Sequence, residues 1–116
     1  MKDLSTNSEA VTFKAGGIIF VQGAPSKYLY LVKSGEVRLV KKKGQKLNVV
    51  ELCCKRDILN EVSVLTNKPN ELTAIAKIDT ELILIEQKDI LEVIQKAPAW
   101  ISDIFTTLCD RLKSTQ

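Results

Sequence analysis

The sequence predicts a mainly β protein, an antiparallel sandwich or barrel, closed at its C-terminal end by helices. Three observations carry the prediction. Short β-branched and aromatic runs alternate with glycine and polar turns as far as about Glu86. The apolar period then changes from two to a helical spacing. The chain has 116 residues, of which 45% are hydrophobic and 27% charged, values ordinary for one globular domain.

Each element follows from its residues. Residues 1–10 are polar and read as a flexible lead-in, so the single domain spans 11–116. Ile18-Ile19-Phe20-Val21 lies between Gly16-Gly17 and Gly23. Tyr28 to Val32 is ended by Lys33-Ser34-Gly35, and Val37 to Val40 is closed by Lys43-Gly44-Gln45. Leu47 to Leu52 follows, and Thr73–Ile78 and Glu81–Ile85 flank an Asp79-Thr80 turn. The five glycines suit turns and bulges, and Lys41-Lys42-Lys43 suits a solvated hairpin tip. A helix over 88–96 carries Ile90, Val93 and Ile94 at helical spacing. Pro98 suits the first turn of a second helix over 98–113. That helix sets Ile101, Ile104, Phe105, Leu108 and Leu112 on one stripe, with Trp100 at its start.

Composition excludes much chemistry. The chain has no histidine, the commonest metal ligand and general base. Its three cysteines show no paired metal-ligand spacing. Strand alternation sends Cys53 and Cys54 to opposite faces, and all three read as reduced packing residues. Lys55 and Arg56 leave open an activated thiol beside them. The net charge of +3 is mild and scattered. Apolar runs such as Leu82 to Ile85 are far too short to cross a bilayer. The first ten residues lack the apolar core of a signal peptide, so a cytoplasmic location is expected.

The ordered set Gly17-Ile18-Ile19-Phe20-Val21-Gln22-Gly23-Ala24-Pro25, Leu29-Tyr30-Leu31-Val32-Lys33-Ser34-Gly35-Glu36-Val37 and Ile58-Leu59-Asn60-Glu61-Val62-Ser63-Val64-Leu65, followed by helices, resembles the cyclic nucleotide-binding domain family. This is the sensor domain of catabolite activator-type regulators, cyclic-nucleotide-dependent kinases and gated channels. The resemblance covers roughly residues 11–112. It implies a β-roll of jelly-roll type with flanking helices, a regulatory role in signal transduction, and no enzymatic activity. The family pocket meets a cyclic phosphate with backbone N–H groups at a short helical turn and an arginine from the returning loop. A glycine admits close approach, and a glutamate takes the ribose hydroxyl.

Carried onto this chain, the implied ligand-binding residues are Leu59, Asn60, Glu61, Val62, Ser63, Asn70, Glu71 and Leu72. Glu61 and Ser63 match the pattern; away from a ligand, Glu61 would accept backbone N–H bonds at the turn. Asn60 stands at the glycine position, where asparagine tolerates a left-handed backbone. Asn70 stands at the arginine position, and Glu71 at that of a small hydroxyl residue. Losing one partner of a buried charge pair costs about 3–5 kcal/mol, or roughly two to four decades of affinity. Glu71 would repel a phosphate further. Lys68, in the same loop, could restore a point charge but no bidentate contact.

The sequence therefore points to a stand-alone sensor that binds no cyclic AMP or cyclic GMP in the usual way. A neutral or amine-bearing ligand fits Glu61 and Glu71 better. The implied mechanism is a population shift of the C-terminal helix. The alternative is a ligand-free interaction or dimerisation module working through Trp100, Ile101, Ile104, Phe105, Leu108 and Leu112, its pocket filled by Leu59, Val62 or Leu72. A jelly-roll enzyme such as a metal-dependent cupin comes a distant third. No cofactor or metal is implied beyond the cyclic nucleotide of the resemblance. The chain stops a few residues past its last helix, so no helix-turn-helix and no DNA binding are expected of it. A protein partner or a homodimer through that helix is.

Overall fold

The computed structural model describes residues 9–114, and side-chain surroundings from residue 10 to residue 111. Eight strands form two four-stranded sheets. The strands are β1 (Glu9–Phe13), β2 (Ile18–Phe20), β3 (Tyr28–Ser34), β4 (Val37–Lys43), β5 (Lys46–Cys53), β6 (Ile58–Leu59), β7 (Thr73–Ala76) and β8 (Thr80–Glu86). One sheet runs β1-β8-β3-β6 and the other β2-β7-β4-β5. Every pairing is antiparallel. Among the described residues, three helices complete the fold: α1 (Glu61–Leu65) between β6 and β7, then α2 (Gln87–Lys96) and α3 (Ala99–Ser114).

β1 spans Glu9–Phe13, so Glu9 and Ala10 belong to a strand rather than to a flexible lead-in; residues 1–8 lie outside the described residues. β1 pairs with β8 alone, and an edge strand keeps polar side chains such as exposed Thr12 without cost. Pro98 precedes α3 rather than standing inside it, and its carbonyl accepts the N–H groups of Ile101 and Ser102.

The core lies between the sheets. Val32, Val37, Leu39, Cys53, Leu59, Ala74 and Leu82 are buried there beside Phe20 and Tyr30, whose rings stack at 5.1 Å. Alternation writes this directly: Tyr30 and Val32 point inward from β3, and Val37 and Leu39 from β4. β5 departs from the rule. Only Cys53 of its eight residues is buried, and Leu47, Val49, Val50 and Leu52 are all exposed. As the outer edge strand it pairs with β4 alone, and the hairpin projects beyond the body of the roll.

The turn from β3 to β4 fixes the roll. Gly35 has φ +102°, and a Cβ there would strike Thr80 Oγ1, with Thr80 Cα at 2.6 Å and the Asp79 carbonyl oxygen at 2.7 Å. Buried Thr80 accepts the Glu36 N–H at 3.1 Å and faces the Ile78 carbonyl at 2.9 Å, which takes its proton. Gly35→Ala combines backbone strain with overpacking and is expected to lower unfolding stability by about 3 kcal/mol. Urea denaturation followed by Trp100 fluorescence measures the shift in midpoint.

Candidate functional site

β6 delivers the chain to Asn60, whose φ of 70° and ψ of 17° are left-handed. This is the conformation its place in the cassette requires, and asparagine adopts it more readily than most residues. The turn releases α1, a helix of five residues whose C-terminal Thr66 hydroxyl donates to the Val62 carbonyl at 2.6 Å. The chain then returns through Asn67, also left-handed at φ 55°, to Asn70 and β7.

Two side-chain amides close this excursion. Asn60 Nδ2 donates to Asn70 Oδ1 at 2.9 Å and faces the Tyr28 carbonyl at 3.3 Å. Asn70 Nδ2 donates to the Val21 carbonyl at 3.0 Å. The Asn70 main chain bonds Gly23 and Ala24 in both directions, at 2.8 and 2.9 Å. Asn70 is 5% exposed, and its amide is spent inside the fold. Ser26 Oγ donates to the Lys68 carbonyl at 2.7 Å, and Gln87 Nε2 to the Val64 carbonyl at 2.7 Å. The cassette is thus held from behind by the loop that follows β2 and by the first residue of α2.

In front of it lies a cavity of about 140 Å³. Its walls are Phe20, Leu39, Ile58, Val62 and Leu72 on the apolar side, and Glu51, Cys53, Asn60, Glu61, Ser63 and Glu71 on the polar side. Of the eight residues the cassette proposed, Asn60, Glu61, Val62, Ser63, Glu71 and Leu72 meet here. Leu59 and Asn70 do not. Leu59 is fully buried in the inter-sheet core because β6 turns it inward, opposite Tyr30. Asn70 is drawn away by its bonds to Asn60 and Val21. Lys68 is not at the cavity either; it sits on a separate surface hollow with Gly23, Pro25, Ser26, Asn67 and Pro69. The cavity is open, with Val62 and Leu72 half-buried in its wall rather than filling it.

The cavity carries three carboxylates, from Glu51, Glu61 and Glu71, and no lysine or arginine among the described residues. Glu61, read from sequence as a candidate acceptor of backbone N–H bonds, is exposed, and no side-chain bond caps α1. Phe20, Leu39, Glu51, Cys53 and Ile58 escaped the cassette reading. They come from neighbouring strands, and the signal for Glu51 and Cys53 was their two-residue spacing on β5, which puts both on one face.

Cys53 Sγ lies 3.6 Å from Glu51 Oε2. Burial first, then the charges of Glu51, Asp57 and Glu61 and the bond to Glu51, push its pKa from 9.0 up to about 12. The thiol is the opposite of an activated one, and its pair of basic neighbours does not alter that. Cys54, just past the end of β5, is exposed.

On helix α3 the apolar stripe divides. At about 100° per residue, Ile101 and Phe105 fall on an arc that is half-buried, where α3 packs on α1 and α2. Trp100, Ile104 and Leu108 occupy the adjoining arc and are 64%, 52% and 52% exposed. The side chain of Leu112 lies outside the described residues.

The comparisons with known proteins agree with this geometry. Residues 10–97 match the family model of the cyclic nucleotide-binding domain. The chain is 31% identical over 102 residues to the cyclic AMP receptor protein of Thermus thermophilus, covering 87% of this chain and 47% of that one. It is 31% identical over 74 residues to a cAMP-dependent protein kinase regulatory subunit of Aspergillus fumigatus, covering 64% of this chain and 17% of the relative. Among solved structures, the Thermus thermophilus catabolite activator protein superposes with a TM-score of 0.78 at 28% identity, over 98% of this chain and 54% of that one. A half-site-occupied form of the EAL enzyme Bd1971 superposes at 0.81 with 19% identity, over 93% and 97%. The chain belongs to the cyclic nucleotide-binding domain family. It spans about half the length of the first of these curated relatives and less of the second. Among the described residues, no helix is long and apolar enough to cross a membrane.

Two outcomes test the site. Asn70→Ala removes an acceptor from Asn60 and a donor from Val21, and is expected to cost about 1–3 kcal/mol in chemical denaturation. Because folding raises the Cys53 pKa from 9.0 to about 12, the native state holds a proton there that the unfolded chain releases. The contribution is complete below pH 9 and is lost as pH rises toward 12. Melting temperature should fall over that window, and Cys53→Ala should make the fall shallower.

Proposed function

We propose that this chain is a non-enzymatic regulatory sensor module whose cavity takes a small molecule without the usual anion contacts to a cyclic phosphate. The observation that carries the reading is the cavity wall: three carboxylates, no cation, and an Asn70 side chain committed to the fold. Glu61 and Glu71 oppose any anion brought to them. Occupancy would act on α1, which touches α3 and is tied through Val64 to Gln87 at the head of α2. The output is then a shift between helix-docked and helix-released populations, set by the ligand's differential affinity for the two.

A second reading has its own observation. Trp100, Ile104 and Leu108 form an exposed apolar arc, which suits a protein partner or a second copy and needs no ligand. Sedimentation velocity separates a self-associating chain from a monomer, and Ile104→Lys should abolish any dimer while leaving the roll folded.

Isothermal titration with cyclic AMP and cyclic GMP tests the first reading. No saturation below about 1 mM is expected; micromolar binding would overturn it. An Asn70→Arg, Glu71→Ser double variant should gain roughly two to four decades of affinity for these nucleotides. It should also melt earlier, because the amide pair is lost.

A further inference from the structure

We infer that the outward face of the β2-β7-β4-β5 sheet, with its projecting hairpin, docks on a bilayer surface that contains anionic phospholipid, an assignment independent of the cavity. Strand alternation is the first argument. Across this sheet Ile18 stands opposite Ile75, Ile75 opposite Arg38, and Arg38 opposite Leu52. Nearer the hairpin tip, Val40 stands opposite Val49 and Lys42 opposite Leu47. The alternate residues Val37 and Leu39 point into the core, so these rows share the outward face. Such a face is ordinarily polar. Here Ile18, Leu47, Val49 and Leu52 are 59%, 63%, 63% and 49% exposed.

Charge decides the occupant. Arg38 and Lys42 stand within the apolar rows, and Lys41, Lys43 and Lys46 surround them at the tip. All five are exposed, and none forms an ion pair among the described residues. Lys43 and Lys46 are directly opposite each other, a repulsive cross-strand pair that an apposed anion relieves. The hairpin's carboxylate, Glu51, lies in the row of buried Leu39 and faces the cavity, so it offsets none of this on the outward face. Residue type then separates a bilayer from a protein partner. Protein interfaces are enriched in aromatic residues and depleted of lysine. These outward rows carry aliphatic side chains and cations and no aromatic ring. A lysine stem lies along an apolar surface while its ammonium reaches a phosphate, which suits the boundary between acyl chains and headgroups.

The test sediments the full chain with vesicles of phosphatidylcholine, alone or mixed with about one-third phosphatidylserine. The chain should pellet with the mixed vesicles, stay in solution with phosphatidylcholine alone, and bind more weakly as salt is added. A Lys42→Gln, Lys46→Gln variant should lose about 25-fold in affinity for the mixed vesicles, about fivefold per lysine. Leu47→Ser with Val49→Ser should weaken binding at unchanged charge. All four side chains are exposed, so the melting temperature should hold in both variants. Lys88→Gln on α2 should leave binding unchanged. No binding to the mixed vesicles, full affinity in either double variant, or equal affinity for heparin would overturn the assignment. Loss of vesicle binding in Ile104→Lys would place the anchor on α3 and overturn it too. If the Leu47→Ser, Val49→Ser variant instead abolishes self-association in sedimentation velocity while vesicles go unbound, the face joins copies of this chain and the lipid assignment falls.

Discussion

The amide pair between Asn60 and Asn70 is the interaction on which the site depends. Each side chain is asked to do two things. Asn60 must adopt a left-handed backbone and still reach Asn70 and the Tyr28 carbonyl. Asn70 must accept from Asn60 while donating to Val21 on the far side. Only a planar group that offers a donor and an acceptor meets both demands, which an aspartate or leucine of similar size does not. The pair joins the departure and the return of the cassette, so α1 is suspended between two fixed points although it is too short to be stable by itself. Asn60, Glu61, Ser63 and Glu71, the cassette's share of the cavity's polar wall, are placed by that closure.

The closure also sets the sign of the site. With residue 70 turned into the fold, its neighbour Glu71 faces the cavity, joining Glu61 from the helix and Glu51 from β5. Three anions around a small, partly apolar space raise the local negative potential more than they would in open water. Burial first, and then the charges of Glu51, Asp57 and Glu61, hold the Cys53 thiol protonated.

Much of this fold was legible in the residues. The roll could be read because its strands obey period two and its turns carry glycine where the backbone needs it, Gly35 above all. The left-handed turn at Asn60 was legible from residue type, and six of the eight cassette positions meet at the cavity. What was hidden was direction. Asn70 finds its partners ten and forty-nine residues away, and no local pattern reports which way such an amide points. Leu59 looked like a pocket wall because it neighbours Asn60, but pairing with Tyr30 commits it to the core. The apolar stripe of α3 was correct in period, yet periodicity cannot say which half of a wide arc meets α1 and α2.

The β4–β5 hairpin has a further consequence. Its outer strand is anchored at one end by Cys53 and Glu51 at the cavity, while its other end, from Lys46 to Val50, stands in solvent. β4 is bonded on both sides and β5 on one, so alternate amides of β5 are open to water and exchange their hydrogens early. A strand with one end in the binding space and the other outside the roll transmits any tightening at its root along its own backbone. The hairpin thereby becomes a natural reporter within the molecule: occupancy at Glu51 and Cys53 would be recorded as slower exchange many ångströms away, in residues the ligand never touches.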